Sequence, residues 1–358
     1  LAEGLADLLG ERGIRCFGPV AAGARIEASK AFAKALMAQA GIPTARSETF
    51  RDAAAAKDFA RALGLPVVIK ADGLAAGKGV AVAATWAEAE EAIDSNLRDH
   101  RFGAASASII VEEFLHGEEA SLLAITDGDC VWPLPPAEDY KRLRDGDGGP
   151  NTGGMGAFAP TPVLPEEALN DAWREVLVPA VRAMRDRGIV FRGVLYAGLM
   201  LTPQGTRVLE FNARFGDPET QVLMPLIEGD LAEAMLAAAE GRLGAFMGGR
   251  GAPGVRPDCA MTVVLAAEGY PDAPRRGDVI EGAEGLPDDT RAVLFHAGTA
   301  RDAEGRIVTA GGRVLCATGV GGTLAEARRR AEGICGRVRW RGMQRRHDIG
   351  SRAQRREA

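Results

Sequence analysis

The chain has 358 residues and a formal net charge of −6. That is length for two or three domains, and the charge argues against a general nucleic-acid binder. No apolar run of about 18 residues or more is present, so no transmembrane helix is expected. The five cysteines are scattered, odd in number and without Cys-x-x-Cys spacing, which fits reduced thiols in a cytosol rather than a disulfide framework or a zinc site.

The first residues, Leu1 to Leu9, read as the middle of an amphipathic helix. They lack the pattern of a signal peptide, and the expectation is a chain that begins inside a domain. A turn at Glu11-Arg12-Gly13 and a short strand Ile14-Arg15-Cys16-Phe17 follow, stopped by Gly18-Pro19. A helix is predicted from about Ala28 to Ala40, with Lys30 at its start and Gly41 beyond its end. Thr44 to Phe50 reads as extended, and Asp52 to Leu63 as a helix ended by Gly64 and Pro66.

Then comes Pro66-Val67-Val68-Ile69-Lys70-Ala71-Asp72-Gly73-Leu74-Ala75-Ala76-Gly77-Lys78-Gly79-Val80-Ala81-Val82. A β-branched run enters a small-residue loop with two lysines, and a second run with strand alternation leaves it. Small residues expose main-chain N–H groups, and two ammonium groups beside them suit a polyanion such as nucleotide phosphates. A P-loop is excluded: only three residues separate Gly73 from Gly77, Gly79 replaces the metal-binding hydroxyl, and no helix follows directly. The Gly-x-Gly-x-x-Gly dinucleotide fingerprint is absent as well. The plain alternative is a flexible glycine hairpin with surface lysines. A helix then starts at Thr85, with Glu88 completing a capping box.

The next strand, Ala107 to Leu115, carries Glu112 and Glu113 and leads through Gly117 to Glu119 and an apolar strand Leu122–Ile125. Carboxylates here would suit ribose hydroxyls, and a strand backbone an adenine edge; a solvated strand end is the alternative. Residues 133–162 lack periodicity. They contain Asp139-Tyr140-Lys141-Arg142 and Pro150-Asn151-Thr152-Gly153-Gly154-Met155-Gly156, so the segment is either a binding loop or disordered.

A helix is predicted from Pro165 to Arg187. The strands Gly193–Leu201 and Arg207–Asn212 follow, joined by a turn at Pro203-Gln204-Gly205. Residues two apart on a strand share a face, so Glu210 and Asn212 present two hard oxygen ligands of the type Mg²⁺ takes beside phosphates. Arg214 shares that face if the extended conformation persists, and would suit charge on a transferring phosphoryl group. Helix is expected from Gln221 to Glu240 and a linker at residues 253–257. Beyond it lie β-rich segments (260–266, 293–298, 307–309, 312–317) and a helix from Thr323 to Cys335. The arginine-rich tail, 337–356, reads as a solvated charged face.

Together these segments resemble the ATP-grasp fold. Ile69 to Gly79, Val111 to Leu115 and Gly117 to Ser121 are similar to its nucleotide half. Asn151 to Gly156 and Glu210 to Glu219 resemble the phosphoribosylamine–glycine ligase (glycinamide ribonucleotide synthetase) family, and Gly311 to Leu315 with Asp348-Ile349-Gly350 resembles that family's carboxy-terminal domain. The resemblance implies an α/β (α+β) architecture: a remnant of an amino-terminal βαβ domain (1–28), an ATP-grasp domain (29–250, lid subdomain about 50–120) and a β-rich carboxy-terminal domain (255–352). It implies a cytoplasmic, monomeric ligase acting on glycine, 5-phosphoribosylamine and ATP with Mg²⁺ or Mn²⁺, without nucleic-acid or membrane partners, through a glycyl phosphate.

On this resemblance ATP is held by Lys30, Lys70, Gly73, Gly77, Lys78, Gly79, Glu112, Glu113, Leu115 and Glu119. The metal falls to Glu210 and Asn212. Lys141, Asn151, Thr152, Gly153, Gly154 and Asp217 meet the substrates, and Arg214 and Asp217 serve catalysis. Lid closure would exclude water from the acyl phosphate. Two departures stand out. Most of the family's amino-terminal domain is expected to lie outside this sequence, and the usual Gln-Asp-His-Lys-Arg reads Glu138-Asp139-Tyr140-Lys141-Arg142. The alternatives are another ATP-grasp carboxylate–amine ligase and a non-catalytic ATP-binding fragment.

Overall fold

A computed structural model describes residues 1–74, 79–249, 252–285 and 290–357. Gly77 and Lys78 lie outside the described residues. The chain forms two compact units, each drawn from separated stretches: residues 1–134, 164–215 and 232–252 in the first, and 135–163, 216–231 and 253–358 in the second.

The first unit contains two antiparallel sheets. One is ordered Ser47–Phe50, Ile109–Glu113, Val67–Ala71, Val80–Ala83. Its two middle strands bury every second residue or more, and the helices Ala53–Leu63 and Trp86–Leu97 cover it through Ala56, Ala60, Ala89 and Ile93. Alanines at these positions let the helices approach closely. Asp52 and Thr85 accept main-chain N–H bonds from Ala55 and Glu88, and the capping box at Thr85 is formed as the sequence predicts. The second sheet is ordered Gly205–Asn212, Gly193–Thr202, Glu118–Thr126, Val131–Pro133.

That second sheet contains a bulge. Gly198 pairs with Glu210 while Leu199 pairs with Val208, which leaves Leu209 as the extra residue. A bulge leaves one residue outside the ladder, and Leu209 uses its freed carbonyl elsewhere, as described below.

The second unit is organised on a five-stranded antiparallel sheet ordered Ala292–His296, Arg313–Gly321, Cys259–Ala266, Gly156–Ala159, Glu138–Asp139. Helix Leu324–Cys335 packs on it through Leu324, Ala327, Ala331 and Ile334. The aperiodic segment 133–162 is therefore not disordered. It supplies two strands of this sheet and a small hairpin, Arg142–Arg144 with Gly148–Asn151.

Several expectations need correction. Ile14 to Phe17 forms no strand, whereas Ala21–Ala28 is a helix that ends where Ser29 turns extended and caps the next helix, Lys30–Ala40. The long helix expected from Gln221 breaks into Thr220–Leu223, a 3₁₀ turn and Leu231–Glu240. Pro225 lacks the N–H a helix needs, and Gly229 takes φ +99° between the pieces. The arginine tail is not uniformly solvated: Arg346 is 0 % exposed.

Candidate active site

The first unit gathers cations and carboxylates from four separate stretches. Lys70 stands at the penultimate position of its strand. Its ammonium lies 2.8 Å from the Glu112 carboxylate and donates to the bulged Leu209 carbonyl at 3.1 Å. Lys34, one helical turn after Lys30, reaches the other Glu112 oxygen at 3.0 Å and Thr44 Oγ1 at 2.8 Å. Lys30 points its ammonium at the Gly73 carbonyl, 3.4 Å away.

The electrostatics follow from this crowding. Burial pushes the Glu112 carboxyl up, but Lys70 and Lys34 outweigh it and hold the group below its ordinary value. Burial pulls both Lys30 and Lys34 below the usual lysine range; Glu210 opposes that shift at Lys30, and Glu112 opposes it at Lys34. Glu210, one of the two metal ligands predicted from the sequence, is thus close enough to be felt by Lys30.

Glu210 is exposed and Asn212 half-buried, two residues apart after the bulge and so on one side of the strand. A carboxylate and an amide oxygen, open to solvent beside ammonium groups, form a donor set that fits a magnesium ion whose other ligands are water and phosphate oxygens. The strand ends at Asn212, so the condition for Arg214 to continue this face is not met. Its guanidinium instead pairs with Glu27 at 3.0 Å, and the other Glu27 oxygen accepts the Ala213 N–H at 2.8 Å.

Glu113, Leu115, Glu119, Gly73 and Gly79, also predicted for the nucleotide, lie on the same unit. Glu113 is occupied by the chain: its carboxylate accepts the Arg46 N–H at 2.8 Å, and its own N–H donates back to the Arg46 carbonyl at 3.0 Å. Leu115 follows the strand in irregular backbone, and Glu119 is the second residue of the next strand, opposite Met200. Gly73 must be glycine, because an added Cβ would fall 2.7 Å from the Ala105 side chain. Gly79 is tied back by its carbonyl, which accepts from Ala71 N–H at 2.8 Å.

The second unit gathers most of the predicted substrate residues. Thr152 donates both its N–H and its hydroxyl to the Lys141 carbonyl, at 2.7 and 2.9 Å, and its Oγ1 accepts the Gly154 N–H at 3.0 Å. Gly154 has φ +111° and no room for a Cβ, which would meet Pro218 Cδ at 2.4 Å. Arg313 donates to the Gly153 carbonyl at 2.7 Å and to the Asp217 carbonyl at 2.6 Å, and pairs with the Asp217 carboxylate at 3.0 Å. Asn151 pairs with Arg142 across the hairpin and is exposed. Lys141 lies 4.0 Å from Asp139.

Sequence reasoning missed Lys34, Asp72, Glu27 and Arg313 as members of these clusters. A four-residue spacing from Lys30 was the available signal for Lys34. Nothing local marked Glu27, whose partner lies 187 residues away.

Comparison with known proteins gives the same assignment. The family described as "Phosphoribosylglycinamide synthetase, ATP-grasp (A) domain" matches residues 28–220, and "Phosphoribosylglycinamide synthetase, C domain" matches residues 260–352. The chain is 50 % identical to phosphoribosylamine–glycine ligase of Caulobacter vibrioides, covering 99 % of this chain and 81 % of that one. It is 48 % identical to the chloroplastic enzyme of Arabidopsis thaliana, covering 99 % and 66 %. The crystal structure of phosphoribosylamine–glycine ligase from Thermotoga maritima superposes with a TM-score of 0.82 at 38 % identity, over 93 % of this chain and 81 % of that one. The biotin carboxylase domain of Hydrogenobacter thermophilus 2-oxoglutarate carboxylase, solved with MgADP, shares the fold at 20 % identity, with a TM-score of 0.73 over 95 % and 72 %. The chain belongs to the phosphoribosylglycinamide synthetase family, the ATP-grasp ligases of purine biosynthesis.

Proposed function

We propose that the chain joins glycine to 5-phosphoribosylamine at the expense of ATP, with Lys30 and Lys70 holding the nucleotide phosphates and Glu210 and Asn212 holding Mg²⁺. The observation that carries this reading is the convergence of Lys30, Lys70 and Glu210 in one unit, with Lys70 fixed by the Leu209 carbonyl immediately before the metal-ligand pair. The bound cation would neutralise charge on the phosphates.

The chain's own residues then position and polarise. A glycine carboxylate oxygen attacks the γ-phosphorus, the bond to the β-phosphate oxygen breaks, and ADP leaves. The ribosylamine nitrogen attacks the glycyl carbonyl, phosphate leaves with the carboxylate oxygen, and the nitrogen loses a proton. No protein nucleophile is needed, so catalysis is orientation plus electrostatics. Glu112, Glu113, Leu115 and Glu119 serve the nucleoside end. Lys141, the Asn151–Gly154 loop and Asp217 serve glycine and the ribosylamine, and Arg214 has a catalytic role. The reaction is cytoplasmic, and the active species is a monomer.

The test is ADP release from MgATP with ribosylamine supplied, with and without glycine. Release that requires glycine is expected, and substitution Lys70→Ala should abolish it. ADP formed equally without glycine would contradict the reading.

A further inference from the structure

Asp72 lies outside the residues assigned to nucleotide, metal or substrate, yet its carboxylate gathers donors from two other stretches of chain. Oδ1 accepts from Ser29 Oγ at 3.1 Å and from the Ala31 N–H at 2.8 Å, and Oδ2 accepts from Ser108 Oγ at 3.1 Å. The main chain repeats the connection: Lys30 N–H donates to the Asp72 carbonyl, and Asp72 N–H donates to the Ser108 carbonyl, both at 3.1 Å.

Local helix capping does not explain this. Ser29 already caps the helix by accepting the Phe32 N–H, as an N-cap serine does. A carboxylate 41 residues further along the chain is not needed to start that helix. What it achieves is long-range: it bonds to both neighbours of Lys30, two residues after Lys70. A negative side chain with every oxygen engaged by chain donors is also the wrong charge to bind a polyphosphate directly.

We propose that Asp72 is a positioning residue that ties the start of helix Lys30–Ala40 and Ser108 to the end of the Lys70 strand, setting the spacing of the two lysines for a nucleotide polyphosphate. The inference rests on the reading that Lys30 and Lys70 hold phosphates. The tie works through hydrogen bonds, so an amide can replace it. The Asn oxygen accepts from Ser29 and Ala31, and its NH₂ donates to Ser108 Oγ.

Calorimetric titration of the full chain with MgATP tests this, using Asp72→Ala, Asp72→Asn, Ser108→Ala and Lys70→Ala, with unfolding midpoints recorded for each. Asp72→Ala is expected to weaken ATP binding about tenfold or more, the scale of lost charge-assisted hydrogen bonds. It should raise the KM for ATP while leaving the KM for glycine unchanged. Asp72→Asn should restore affinity to within about threefold, and Ser108→Ala, which removes one arm only, should fall between and serves if Asp72→Ala does not fold. ATP affinity unchanged in Asp72→Ala while Lys70→Ala loses it overturns the tether alone. Asp72→Asn as weak as Asp72→Ala also overturns it. Affinity unchanged in Lys70→Ala overturns the phosphate reading and the tether with it.

Discussion

Glu112 shows how burial changes the meaning of a residue. In the sequence it is a carboxylate at a strand end, suited to a nucleoside. In the fold it is nearly inaccessible and accepts from two ammonium groups, those of Lys34 and Lys70. Removing one partner of such a group is costly, and Glu112→Gln should lower stability by about 3 kcal/mol in chemical denaturation.

The pH dependence has a definite sign. The folded carboxyl sits below its unfolded value, so the native state binds fewer protons. Its contribution is fully present above the ordinary carboxylate range and is lost as pH falls through the depressed value. Unfolding midpoints measured toward acid should therefore fall less steeply in Glu112→Gln than in the parent; equal slopes would show that Glu112 is not held ionised. The strand that carries Lys70 was legible from its β-branched run. The need for Glu112 beside it was not, because the pairing joins residues far apart in sequence.

At the scale of elements, capping and alternation were legible and the exceptions have local causes. The box at Thr85 and the strands around Lys70 and Glu210 form where their patterns indicate. The helix after Gln221 fails at Pro225 and Gly229, both visible in the sequence but outweighed there by apolar content. The tail misled for another reason: an arginine run reads as solvent-facing, but Arg346 is drawn inside. Its guanidinium stacks over the Tyr140 ring at 4.7 Å, pairs with Asp147 at 2.9 Å and Asp348 at 2.7 Å, and donates to the Arg142 carbonyl.

Tyr140 thus meets a cation on its ring face, while its hydroxyl accepts the Gly350 N–H at 3.0 Å. A planar fork makes these contacts and an ammonium cannot. Arg346→Lys and Arg346→Met should both lower stability, the latter by about 3 kcal/mol. Arg339→Met, at an exposed pair with Glu281, should change it by less than about 1 kcal/mol. Equal effects at the two positions would contradict the role assigned to Arg346.

For the whole molecule, each compact unit interleaves distant stretches of the chain. Segment 135–163 joins the sheet of the carboxy-terminal region through the pairing of Gly156–Ala159 with Cys259–Ala266. Antiparallel partners a hundred residues apart leave no local trace, so the fold family was legible from motifs while this pairing was not. Chemistry at this scale turns on one oxygen atom. If ATP activates the carboxylate of glycine, that atom travels from glycine to phosphate. Turnover with glycine labelled with ¹⁸O in its carboxylate, followed by mass analysis of the released phosphate, reads the transfer directly. Phosphate carrying one labelled oxygen for each glycinamide ribonucleotide formed is the expected result, and unlabelled phosphate would contradict it.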